Sequence, residues 1–377
     1  MKTIFFGPWI GEFGWEYSHW HAWVNHVSRN EFKKDITIAA SFKGREPFYK
    51  DTSKFLSHPK KFDQLFKGKR NYITDNWIND RPNFNNSPDN KAISSKTNVQ
   101  NQIEIAKDLL SHYKKNLPEE TVFYVPWLLN KIHLENRIIK IGIEDLGYSI
   151  KKKKVLELLK YILINRISNF FLDQSFKYRI NGHLYQEGIA THPIPLDRQQ
   201  FFKLTHIEKI PSELLDQVDG KFEKKIISIF PRRRDDRRPD KNFGEKKYID
   251  LIQKIQERFP KFKIALLGEP NGSYFTKGVP EGCIDLINIS NENRMNNQIY
   301  VLENSIFAIG SISGAMLVSL GTGCPSLIWG FHDAKIPTHD NNPLLTPMHY
   351  ISSMHPKVSD ILAGIEDLKI KANIDFG

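Results

Sequence analysis

Cysteine is nearly absent: Cys283 and Cys324 are the only two in 377 residues. That excludes a disulfide-stapled scaffold and fits a reducing compartment. Long apolar runs are missing too. None approaches the roughly 18 residues of a membrane span, and Met1 to Phe6 is too short for the apolar core of a secretory signal, so a soluble, cytoplasmic chain is expected. Metal signatures are lacking: there is no C-x-x-C, no H-E-x-x-H and no Asp-x-Asp. Asp235-Asp236 sits among arginines, where carboxylates pair with neighbours more readily than with magnesium. No internal repeat of fixed period occurs. Acidic residues fall short of basic ones, 43 against 54, for a net charge of +11 and a pI near 9.3. Such an excess implies an anionic partner without separating nucleic acid, membrane surface and phosphorylated substrate.

What is present suffices for two cores. A chain this long exceeds one ordinary domain, and 40% hydrophobic with 12% aromatic residues can fill two of roughly 150–200 residues each. The first half opens on a short strand, Thr3 to Phe6, runs through Gly7-Pro8-Trp9-Ile10-Gly11-Glu12-Phe13-Gly14 into a helix over about 15–27, and reaches a second strand at 36–40. This is a βαβ opening. Residues 41–99 read as polar excursions with short elements, and 121–125 as another strand. The second half is cleaner, with strands at 225–230, 262–267, 284–287, 306–309 and 325–329, and helices at about 245–258, 293–303, 313–321 and 357–369. Alternation of this kind predicts parallel sheets covered on both faces. The expected fold is α/β, two Rossmann-like domains facing each other, divided as 1–215 and 216–377.

Two segments carry chemistry. The first is Pro231-Arg232-Arg233-Arg234-Asp235-Asp236-Arg237-Arg238, directly behind the strand at 225–230. A strand that empties arginines into a turn before a helix delivers guanidinium groups to the carboxyl edge of a sheet, where open α/β folds bind ligands. Arginine suits a phosphate there because its planar fork pairs two oxygens and stays charged. A solvated charged loop is the alternative. The second is Gly310-Ser311-Ile312-Ser313-Gly314-Ala315, a strand end, a turn of small residues and a helix start. Small residues admit a ligand to the backbone, and free N–H groups at a helix start favour an anion; serine capping alone is the competing reading.

The second half resembles the donor-binding domain of two-domain glycosyltransferases of the GT-B fold. Ser311-Ile312-Ser313-Gly314-Ala315 with Gly323-Cys324-Pro325 is similar to the corresponding run in lipopolysaccharide heptosyltransferases, and the arginine loop to the Arg-Arg segment of α1,6-fucosyltransferase-like enzymes. Ile10-Gly11-Glu12 occupies the place of that family's Ile-Gly-Asp, with glutamate for aspartate. The resemblance implies transfer of a sugar from a nucleotide-sugar donor to a glycan or lipid-linked glycan, inverting and metal-independent. Glu12, or Glu16 one turn later, would be the base. Arg232, Arg233 and Arg237, with Ser311, Ser313, Gly314 and Ala315, would hold the diphosphate, and Glu269 would contact the nucleoside. No cofactor or metal is expected beyond the donor.

Near the first strand lie Trp9, Trp15, Trp20, Trp23, His19 and His21, suited either to stacking on sugar rings or to a core. Residues 151–178, with Val155, Leu159, Ile162 and Ile167 among lysines, read as a basic amphipathic helix. It would either pack on the first domain or touch the inner face of an anionic membrane. Three rival functions remain open at this stage, one of them a catalytically inactive nucleotide-sugar-binding module, which Glu12 and Glu16 buried in salt bridges would favour. A pyruvyltransferase-like enzyme would share the architecture and the arginines. A nucleic-acid-binding protein would share the charge, although no recognition helix, zinc finger or aromatic sheet motif is found and no nucleic acid is expected.

Overall fold

The computed structural model describes residues 1–9, 13–62, 108–124, 203–215, 217, 225–235, 239–289, 293–331, 342 and 344–375. The chain forms two compact units, Met1–Pro195 and Leu196–Gly377. The expected division at 215/216 falls inside the second unit. The stretch before that point is tied to the second unit by side chains: His206 to Glu303 and Glu213 to Asn297.

In the first unit β1 (Thr3–Phe6), β2 (Ile36–Ser41), β3 (Lys54–Ser57) and β4 (Val122–Tyr124) form a parallel sheet in the order β3-β2-β1-β4. β1 is apolar because it is central: Ile4, Phe5 and Phe6 are buried, with Phe6 flanked by Ala39 and Tyr124. β3, half-buried and at the edge, carries too little apolar pattern to be read from sequence. The single helix expected over 15–27 is instead α1 (Phe13–Trp15), a π-helical turn over Glu16–Trp20, and α2 (His21–Asn30). π-turns are rare and concentrate at functional sites. Trp9, Trp20 and Trp23 are core residues, at most 3% exposed, with Trp9 stacked on Trp20 at 5.7 Å. His21 is buried and stacks on Tyr17. These rings are packed, not offered to a sugar.

The second unit contains α3 (Ser212–Leu215), β5 (Ile226–Phe230), α4 (Glu245–Arg258), β6 (Lys263–Leu267), β7 (Cys283–Leu286), α5 (Arg294–Glu303), β8 (Ser305–Ser311), α6 (Gly314–Gly321), β9 (Ser326–Trp329), β10 (Met348–Ile351) and α7 (Val358–Ala372). All six strands are parallel in the order β10-β9-β8-β5-β6-β7. Counted within the unit, this is the doubly wound order 3-2-1-4-5-6. β5 is buried at every position because helices cover both faces of a central parallel strand. α4 lays Tyr248, Leu251, Ile252 and Ile255 on the sheet, and α7 adds Val358, Ile361, Ile365 and Leu368 to the same core. β10, half-buried throughout, is the strand the sequence did not disclose.

Candidate active site

β5 and β8 lie side by side where the strand order reverses, with Phe230 opposite Gly310. Connections leave these strands in opposite directions, so the topology opens a crevice at their carboxyl ends, the ligand site of open parallel sheets. Both segments singled out above start there: Pro231 to Asp235 after β5, and Ser311 to Ala315 across the end of β8. Gly310 makes their approach close. A Cβ on it would stand 2.9 Å from Met316 Sδ and 3.0 Å from Phe230 Cβ.

The arginine loop is built, not loose. Arg233 N–H donates to the Gly272 carbonyl at 2.9 Å and Tyr274 N–H to the Pro231 carbonyl at 2.7 Å, pairing the loop with the one after β6. Arg232 is 8% exposed, and its Nη1 donates to Asn242 Oδ1 at 2.8 Å. Arg233 is exposed, paired with Asp235 at 2.8 Å, with its guanidinium 5.7 Å from the Tyr274 ring centroid. The Asp235 carboxylate, through a hydrogen bond and its charge, raises the Arg233 pKa further. Glu269 is exposed at the end of β6, and it and Arg234 flank Gly272, whose added Cβ would lie 3.5 Å from Glu269 Cγ and 4.0 Å from Arg234 Nε. Gly268 beside it has φ +151°, and a Cβ there would meet Ser273 Oγ at 2.1 Å. The turn therefore requires glycine.

Across the crevice Ser313 caps α6 with extended backbone, its Oγ accepting from Met316 N–H at 3.2 Å. The Gly314 and Ala315 N–H groups are among the first of the helix, which have no partner within it and carry the positive end of its dipole. Ser311 is buried, while Ser313, Gly314 and Ala315 are half-buried. Thus Arg232, Arg233, Glu269, Ser311, Ser313, Gly314 and Ala315 gather at one sheet edge. Sequence reading missed Asn242, which looks like any polar residue ahead of a helix, and Gln298, whose Nε2 holds the Gly268 carbonyl at 2.7 Å.

In the first unit Glu16 is wholly buried. Its Oε1 accepts from Ser41 Oγ and from Tyr49 OH at 2.6 Å, and its Oε2 from Arg45 Nη1. Burial raises the Glu16 pKa, opposed by the Arg45 guanidinium and the three donors. Arg45 in turn lies 4.2 Å from the Phe13 ring centroid. A carboxylate enclosed in this way ties the π-helical turn to the end of β2 and the segment after it and has no face open to an outside hydroxyl. Glu12, Arg237 and the basic stretch 151–178 lie outside the described residues.

The loop after β1 is pinned at Trp9, whose N–H donates to the Ala40 carbonyl at 2.8 Å and whose carbonyl accepts from His58 Nε2 at 2.7 Å. His58 Nδ1 then accepts from Tyr113 OH at 3.0 Å, so the neutral tautomer satisfies both neighbours. Burial is the main reason its pKa is pushed down to about 4, with the Trp9 hydrogen bond opposing and Arg45 adding. Because the folded-state pKa lies below the ordinary 6.5, the stabilisation is complete above pH 6.5 and is lost as pH falls toward 4. At 1.36 kcal/mol per unit the loss reaches about 2–3 kcal/mol by pH 4.5. Urea unfolding at pH 7.5 and 4.5 should show a smaller drop in His58→Gln than in the wild type; equal drops would remove His58 from the acid response.

Among the described residues no three His, Cys, Asp or Glu side chains come together as metal ligands, and no helix is long and apolar enough to cross a membrane. No family model matches the chain, and no curated protein matches its sequence. Solved structures do match. The E. coli ADP-heptose LPS heptosyltransferase II superposes with a TM-score of 0.50 at 12% identity, over 99% of this chain and 100% of that one. A glycosyl transferase of family 9 from Veillonella parvula gives 0.48 at 8% identity, over 98% and 97%. An E. coli heptosyltransferase with ADP-2-deoxy-2-fluoro heptose gives 0.47 at 10%, over 97% and 99%. The first of these likenesses agrees with the two parallel sheets: the chain has the GT-B fold, built of two Rossmann-like units.

Proposed function

We propose that the chain is a glycosyltransferase that moves a sugar from a nucleotide-sugar donor to a glycan or lipid-linked glycan. The observation that carries this reading is the register of β5 and β8, which brings an arginine loop and a helix start to neighbouring strand ends at the point where the strand order reverses. Such a place accepts a diphosphate from both sides.

In the proposed reaction the acceptor hydroxyl oxygen attacks the anomeric carbon while its proton passes to Glu12. The bond from that carbon to the diphosphate oxygen breaks, its electron pair leaves on the nucleoside diphosphate, and attack from the opposite face inverts the centre. The growing negative charge is met by Arg232, Arg233 and Arg237 and by the amides at Ser313, Gly314 and Ala315. Glu269 is assigned to the nucleoside. With no Asp-x-Asp in the sequence, we assign leaving-group stabilisation to these protein groups and not to a metal ion. Glu16, its oxygens already occupied, is assigned no proton transfer.

The test is a thermal-shift series with UDP, GDP, ADP and CMP. A ligand that binds only the folded state stabilises it by about 2.7 kcal/mol at a hundred times its Kd. Stabilisation by none of these nucleotides, nor by their sugar conjugates, would overturn the proposal. Arg233→Ala is expected to weaken the preferred nucleoside diphosphate by about 1.5–3 kcal/mol, the range for a hydrogen bond to a charged group. Arg233 is exposed, so its loss leaves the loop's packing intact. Calorimetry on the folded variant checks this, and an unchanged affinity would take Arg233 out of the site.

A further inference from the structure

Asn242 lies between the 3-10 turn Pro239–Lys241 and α4, and its side chain reaches back over the arginine loop. Its Oδ1 accepts two hydrogen bonds, from Arg232 Nη1 at 2.8 Å and from Arg234 N–H at 2.9 Å. Its Nδ2 donates to the Arg234 carbonyl at 3.0 Å and, at the limit of range, to Asp235 Oδ1 at 3.5 Å. An amide that takes the N–H and C=O of one residue together pairs with it as a neighbouring strand would. The loop is thus gripped on both sides, by the backbone of residues 272–274 on one and by a single side chain on the other.

Arginines 232, 233 and 234 repel one another, and an untied loop would let them splay into solvent. We propose that Asn242 is the positioning residue of the anion site: it fixes the Arg232 guanidinium and the backbone of Arg234, directly after Arg233, so that Arg232 and Arg233 converge on the diphosphate of the donor. This rests on the reading of the site as a nucleotide-sugar site. Aspartate would lose the bond to the Arg234 carbonyl and add a competing charge, and serine is too short to bridge both backbone groups.

Calorimetry with UDP, GDP, ADP, CDP and inorganic pyrophosphate, at low and high salt, tests it on the wild type, Asn242→Ala, Asn242→Ser, Arg232→Ala and the Asn242→Ala/Arg232→Ala double variant. For the diphosphate the wild type binds, and for pyrophosphate, Asn242→Ala is expected to be about tenfold weaker. Its salt dependence should also be shallower, because fewer charges meet the anion. Asn242→Ser should show a smaller loss in the same direction, and it keeps the test open if the alanine variant does not fold. The double variant should lose less than the sum of the Asn242→Ala and Arg232→Ala losses, since coupled residues are not additive. Unchanged affinity and salt slope in the Asn242 variants, or full additivity in the double variant, overturns the role of Asn242 alone. A wild type that binds none of the five probes overturns the functional reading beneath it.

Discussion

Glu12→Gln is expected to keep donor affinity and to lower turnover about 10²- to 10⁴-fold, the usual contribution of a positioned general base. Glutamine has nearly the same shape and cannot take a proton, so the loss should appear in kcat with the donor KM little changed. The motive is sequence position, just after β1, together with the fixed flanks of that segment. Trp9 is held by Ala40 and His58 on one side, and Glu16 by Ser41, Arg45 and Tyr49 on the other. Single-turnover assays with the donor found by thermal shift would decide it. Near-wild-type turnover in Glu12→Gln removes the residue from the chemistry.

Glu16→Gln should act on stability. Removing one partner of a buried ion pair leaves the other uncompensated and typically costs about 3–5 kcal/mol. Here three donors, from Ser41, Arg45 and Tyr49, converge on one enclosed carboxylate. The glutamine amide would turn an N–H₂ toward groups that themselves donate. Replacing Glu16 and Arg45 together by apolar residues should cost less than Glu16→Gln alone, because no unpaired charge is left. Chemical denaturation followed by tryptophan fluorescence reads mainly the first unit, where Trp9, Trp20 and Trp23 are buried, and a Trp329→Phe background removes the buried tryptophan of the second unit. An unchanged midpoint would mean that the network adds nothing. A stable but inactive Glu16→Gln would move the proton acceptor to Glu16.

The second unit was more legible than the first because its elements carry strong periodic patterns. α4 shows Tyr248, Leu251, Ile252 and Ile255 on one stripe, and its bounds, Glu245–Arg258, are those the sequence predicts. β5, interrupted only by Ser228, and β8, apolar from Ile306 to Ile309, are near-continuous apolar runs, as expected of strands buried on both faces. β3 and β10 escaped notice for the opposite reason. Each is four residues long at a sheet edge and half-buried, so neither alternation nor a continuous apolar run marks it. In the helix after β1, periodicity shows that apolar residues recur but not that one turn widens, so the π-turn at Glu16–Trp20 went unread.

The candidate site divides along the same line. That arginines follow a strand, and that small residues open a helix, are local facts, and the sequence alone determined them. Sheet order is not local. Neighbouring strands pair through backbone groups that every residue shares, so the sequence does not say that β5 lies beside β8; packing of helices on both faces decided it. Burial is likewise a property of the assembled unit. Glu12 and Glu16 look alike in sequence, four residues apart near a helix start, and only partners from positions 41, 45 and 49 make Glu16 an enclosed anion. Asn242 became visible in the same way, because an amide's role depends on which backbone it meets, and the fold brings it to Arg232 and Arg234.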